Sequence, residues 1–153
     1  MGFSQTGNFV TISQAIVNVL EGIQQEGANA FAAVYNYPTV ESTAGTPFVC
    51  CVPSDSPSSY LTNVQNLRSY TFFIDIYYPI ETQGDGYSNA FTQMTILVET
   101  VLDALDNSNS LNGTAQIVQP SPSNWSMAQS SLGTLLDGRV VLVAKVSTPQ
   151  SNG

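Results

Sequence analysis

The sequence predicts an α+β fold, a mainly antiparallel sheet with two helices packed on one face. Three observations predict it: two segments whose apolar residues recur every three or four positions, one long segment in which they alternate, and the order helix, strands, helix, strands. With 153 residues the chain has the length of one domain and can bury a core without a disulfide or a metal. A single domain over residues 1–153 is expected, its core running from about 9 to 147 and a flexible tail occupying 148–153.

The first helix is drawn by Ile12, Ala15, Ile16, Val19, Leu20 and Ile23, which share one stripe. Thr11 or Ser13 can cap its start and Gly27 can end it. Residues 30–37 and 47–52 then read as strands on either side of a polar loop, 39–46. The Ser, Pro and Asn density of 53–65 marks a longer loop, ordered around Tyr60 and Leu61. Residues 68–78 are the most regular strand: Tyr70, Phe72, Ile74, Ile76 and Tyr78 share one face, Thr71, Phe73, Asp75 and Tyr77 the other. The first of these faces is wholly apolar and must be core, whereas the second, mixed face meets solvent or another subunit. After the Gly84-Asp85-Gly86 turn, Ser88 can cap a second helix carrying Phe91, Met94, Val98, Val101, Leu102 and Leu105 inward, with Ala90 and Leu97 on its flanks. Short and long strands are expected at 114–119 and 139–147, and the stretch between them, from Pro120 through Trp125 onward, reads as a loop or hairpin tip.

Composition narrows function. Hydrophobic residues make up 42% and charged residues only 9%, against about 25% charged in an ordinary soluble domain. Hydroxyls and amides lose less than ions on leaving water, so such a surface is suited to burial against other subunits. Three basic residues (Arg68, Arg139, Lys145) face eleven acidic ones, giving a formal charge of −8. That balance opposes conventional nucleic-acid binding but suits a wall past which nucleic acid slides without sticking. Cys50 and Cys51 are neighbours on a strand and point to opposite faces, so they read as buried small hydrophobes rather than a disulfide. No signal peptide and no run long enough to span a membrane is apparent.

With no histidine, the common catalytic triads and histidine metal sites are unavailable. No phosphate-loop or dinucleotide fingerprint follows Gly84-Asp85-Gly86. Asp75 stands in an apolar strand; it reads as a cross-strand partner of Lys145 or Arg139 or as a subunit contact, the alternative being a catalytic carboxylate assisted by Glu81 or Asp85. Trp125 reads as an anchor of a protein contact, or else as a stacking platform for a sugar or base. An enzyme is not expected, nor is a cofactor.

Five segments carry a resemblance in order: Leu67-Arg68-Ser69-Tyr70-Thr71-Phe72; Leu97-Val98-Glu99-Thr100-Val101-Leu102-Asp103-Ala104-Leu105-Asp106; Leu111-Asn112-Gly113-Thr114; Pro120-Ser121-Pro122-Ser123-Asn124-Trp125; and the closing strand 139–146. Together they resemble the tail terminator proteins of long-tailed bacteriophages, also labelled tail completion or head-tail joining proteins. The resemblance implies a virion structural protein made in the host cytoplasm, an α+β subunit that forms a hexameric ring with itself on the last ring of the tail tube. Its partners would be the tail tube protein and a neck or connector protein, with DNA passing through the lumen without specific binding. Candidate subunit or partner contacts are Phe73, Asp75, Tyr77, Trp125 and Arg68. The alternatives are another neck or tail-tube subunit and a small carbohydrate-binding module.

Overall fold

Successive side chains of a strand point to opposite faces, and in the central strand Tyr70, Phe72, Ile74 and Ile76 are all buried on the same one. Around that strand, the computed structural model describes residues 8–25, 27–54, 66–81, 84–107 and 117–148. The elements are α1 (Asn8–Glu21), β1 (Gln24–Gln25), β2 (Ala28–Asn29), β3 (Ala33–Tyr35), β4 (Phe48–Pro53), β5 (Asn66–Pro79), α2 (Gly86–Asn107), β6 (Ile117–Ser130) and β7 (Gly133–Thr148). β1 and β2 form a small antiparallel hairpin. The other five strands make one sheet in the order β3-β4-β5-β7-β6, with β3 parallel to β4 and every other pair antiparallel.

The fold is α+β, as its sequence pattern predicts, and its helices cover one sheet face. α1 contributes Ile12, Ala15, Ile16 and Leu20; α2 contributes Ala90, Met94, Leu97, Val98, Val101 and Leu105. They meet Val49 and Cys51 of β4, Tyr70, Phe72, Ile74 and Ile76 of β5, and Leu136, Val140, Leu142 and Ala144 of β7. Each fully buried Leu, Ile, Val or Phe contributes about 1.5–3 kcal/mol, so this layer supplies most of the favourable burial. On the outer side of α2 the hydroxyls of Thr92, Thr95 and Thr100 are satisfied locally, donating to the carbonyls of Ser88, Phe91 and Ile96 at 3.0, 2.8 and 2.7 Å.

Packing moves several boundaries from where the pattern alone puts them. The described part of α1 already starts at Asn8, ahead of the expected caps at Thr11 or Ser13, and Phe9 in it meets Tyr70 and Phe72 edge-on, with ring centroids 4.7 and 5.7 Å away. It ends at Glu21; Ile23 lies beyond it yet still reaches the core, and Gly27 belongs to the β1–β2 turn instead of the helix end. Of residues 30–37 only Ala33–Tyr35 is strand, because β3 pairs with β4 over three positions alone. α2 starts at Gly86, so Ser88 lies inside the helix and is not its cap. A side chain at Gly86 would strike the Glu81 carbonyl oxygen, 1.7 Å from where its Cβ would stand, and only glycine permits that approach.

The largest difference concerns the stretch read as a loop or hairpin tip. Residues 120–130 belong to β6, and β7 begins at Gly133, well before 139. Pro120 and Pro122 are tolerated there because β6 is an edge strand, where a missing N–H need not cost a ladder bond, and the register shifts between Pro122 and Asn124. The expectations for Tyr60 and Leu61, for a strand start at 114 and for a tail after 148 fall outside the described residues. Among the described residues no helix is long and apolar enough to cross a membrane.

Candidate functional site

Odd-numbered residues of β5 and β7 face away from the helices, and there the register brings Asp75 opposite Arg139 and Tyr77 opposite Asp137. The Arg139 guanidinium donates from Nε to Asp75 Oδ1 at 2.8 Å and from Nη2 to Oδ2 at 3.2 Å, and its plane lies 4.3 Å above the Phe73 ring centre. Asp75 is 7% exposed, so this fork compensates a carboxylate that water no longer reaches. Of the two cross-strand partners open to Asp75 on sequence grounds, the register selects Arg139 over Lys145, which pairs with Ser69 instead.

Asp137 is the second acid of this cluster. Burial, then the charge of Asp75, push its carboxyl up to about 7, with Arg139 and the Tyr77 hydroxyl opposing the rise. Its Oδ1 is buried with no hydrogen-bond partner among the described residues. Tyr77, stacked on Phe48 with ring centroids 4.9 Å apart, is itself pushed up by burial and by the two acids. Sequence reading missed Asp137 because Asp137-Gly138 resembles a turn. The signal was present in Leu135, Asp137, Arg139 and Val141, an alternation that continues β7 upstream.

The crossover from β3 to β4, residues 36–46, lies over one end of this same face, because a parallel pair cannot be joined by a tight turn. Val40 packs against the Phe48, Cys50, Tyr77 and Leu135 cluster. The Cys50 thiol donates to the Thr39 carbonyl at 3.5 Å, and the Tyr35 and Ser42 hydroxyls hydrogen-bond at 3.0 Å. At the far side, Glu41 accepts from the Ser131 backbone N–H, 3.0 Å from Oε2, and from the Ser131 hydroxyl, at the β6–β7 turn. Those two bonds lower the Glu41 carboxyl from its ordinary value.

Trp125 lies elsewhere. It pairs with Gly138, whose missing side chain leaves room on the helix side for Met94 and the indole. There Trp125 approaches Phe91 at 6.5 Å between centroids, one turn from Tyr87, with Met127 two residues along β6. Tyr87, Phe91, Trp125 and Met127 are 46, 44, 42 and 59% exposed, a set of exposed apolar side chains beside the outermost described strand of the sheet. The structure therefore brings Phe73, Asp75 and Tyr77 together on one face and puts Trp125 on the other. Arg68 is opposite Val146 in the backbone register, and its side chain is outside the described residues. The patch was half legible: Trp125 stood out, but Tyr87, Phe91 and Met127 join it only once β6 is known to flank α2.

Among the described residues no group of three or more His, Cys, Asp or Glu side chains is placed to hold a metal ion. Comparison with protein-family models and with curated proteins returns no match.

Proposed function

We propose that this protein is a non-enzymatic virion subunit, a tail terminator of a long-tailed bacteriophage. In this reading copies made in the host cytoplasm close into a hexameric ring at the head-tail junction. The ring caps the tail tube, joins it to the neck or connector, and leaves a lumen through which DNA passes. The observation that carries the reading is the set of exposed apolar side chains, Tyr87, Phe91, Trp125 and Met127, beside the outermost described strand of the sheet. Aromatic residues and Met of this kind are the usual anchors of protein–protein contacts, and an unpaired edge is a ready template for further pairing.

Charge supports it from a second direction. Glu99, Asp103 and Asp106 lie exposed along the last turns of α2, which have no basic residue in the final turn. Anions are disfavoured at a helix C-terminus, and Glu99 and Asp103 repel one another one turn apart. An acidic stripe kept against local stability is well suited to a surface facing passing DNA, which it would not bind.

Electron microscopy of phage lacking the protein tests the reading: tails of uncontrolled length, unattached to heads, are expected. Attached tails of normal length would overturn it, and labelled copies repeating along the tail would assign the chain to the tube. In purified protein, Trp125→Ala should shift the mass measured by light scattering toward the monomer while the thermal midpoint moves by no more than a few degrees. An unchanged mass removes the patch from the contact surface. A second reading, a carbohydrate-binding module, is favoured by one observation: a groove of about 500 Å³ lined by Glu81, Asp85, Ser88, Asn89 and Thr92 opens next to Tyr87. Saturable binding on a glycan array that Trp125→Ala abolishes would select it.

A further inference from the structure

We propose that Asp75, Asp137 and Arg139 form a proton-binding site that sets how firmly the 36–46 crossover is held on the sheet. On the second face one guanidinium stands against two acids, and both of its bonding arms go to Asp75. Asp137 is left with a buried oxygen that nothing among the described residues satisfies. A second ionised carboxylate there is opposed both by lost hydration and by its neighbour, and the least costly remedy is one proton held by the pair. Both Asp75 oxygens are engaged by the Arg139 fork, so the proton is held at Asp137, whose Oδ1 is unsatisfied among the described residues.

Apart from the Arg139 charge and the Tyr77 hydroxyl, the described surroundings of Asp137 supply no compensation. β5 presents Asp75 and Tyr77, β7 presents Arg139, β4 presents Cys50 on the far side of Asp75, and β6 places Ser126 opposite. The crossover contributes Thr39 and Glu41, and the Glu41 carboxylate is engaged with Ser131. Lys145 is on β7 too, but its register partner is Ser69, at the other end of the strand from Tyr77 and Asp137. The rise of the Asp137 carboxyl agrees with this count.

The link to the crossover is structural. Tyr77 and Cys50 are neighbours of the acids and also part of the surface on which Val40 and Thr39 rest. Two ionised acids beneath them demand water, and the crossover is the lid that excludes it. When it lifts, Asp137 regains an ordinary carboxyl. The sign follows: the closed form keeps a proton that the open form surrenders above about pH 4, so closure weakens as pH rises from about 4 to 7 and levels off above.

The full chain labelled with ¹³C at the Asp carboxyl carbons tests this by NMR, together with amide hydrogen exchange of residues 39–43, corrected for the intrinsic pH dependence of exchange. One Asp carboxyl should titrate near pH 7, and protection of those amides should fall between pH 5 and 7, by at most about tenfold per unit, then level off. In Asp137→Asn both features should vanish. No Asp titrating above pH 5.5, pH-independent protection in the wild type, or a folded Asp137→Asn with the wild-type profile would each overturn the proposal. Should that variant not fold, the two wild-type measurements decide alone. None of these outcomes depends on whether the protein belongs to a virion.

Discussion

On the helix-covered side of the sheet, Ile74, Ile76, Val140 and Leu142 meet only apolar neighbours, while one residue away in the same strands Asp75, Tyr77, Asp137 and Arg139 meet one another. The first set is fully shielded from water and the second only in part, and the two are held by different physics. The first side gains free energy simply by leaving solvent, and any apolar residue of the right volume would serve. The second gains little net stability, since partly buried ion pairs roughly offset their own desolvation. What it gains is direction, because a guanidinium fork accepts only one arrangement of its partners.

Four substitutions break or sharpen that contrast. The largest effect is expected from Ile74→Ala, a loss of about 2–5 kcal/mol in urea unfolding, since Ile74 is wholly buried among carbon. Phe73→Ala, one residue away on the half-open side, should cost less than half as much in the same titration. If the two losses were equal, the faces would not differ in the way described. Next comes Gly138→Ala, whose added methyl would stand 2.7 Å from the Met94 sulfur and 3.1 Å from the Trp125 ring. A loss of about 1–3 kcal/mol is expected, with altered indole fluorescence. Because that methyl points to the helices, the Asp carboxyl titrations should not move, although Gly138 sits between Asp137 and Arg139.

The smallest effect belongs to Glu41→Gln. Ser131 lowers the Glu41 carboxyl, so its hold on the crossover is present above the ordinary carboxylate range and is lost as pH falls through the lowered value. Amide exchange at Thr43 and Ala44 should therefore rise toward acid pH in the wild type and show no such step in the glutamine variant. A matching step in both would detach Glu41 from the clasp.

How much of this was legible beforehand follows the physics of each region. Apolar periodicity is a local property, so both helices, β5 and most of the helix-facing core could be read directly, as could Asp75 as a paired acid and the opposed cysteines; the stripe of α2 is rotated from its expected position, with Phe91 exposed and the flanking Ala90 and Leu97 buried. β6 was not legible, because Pro120 and Pro122 argue against a strand until its place at the sheet edge is known, and that place depends on partners far away in sequence. Asp137 was hidden for a related reason: an Asp-Gly pair signals a turn unless a neighbouring strand holds it extended. Trp125 could be singled out as a contact residue, yet not assigned a face, since the face depends on the register of β6 against β7.

The paired cysteines turn the two-sided architecture into an internal clock. Cys50 lies under the crossover with its thiol pushed up to about 11, and Cys51 lies under α1 with its thiol pushed up to about 12, so both are inert while the fold is shut. An alkylating reagent can capture the first when one small strap peels back, but the second only when a whole helix departs. One dipeptide thus times two separate openings of the same molecule, with chemistry that is identical at both sites.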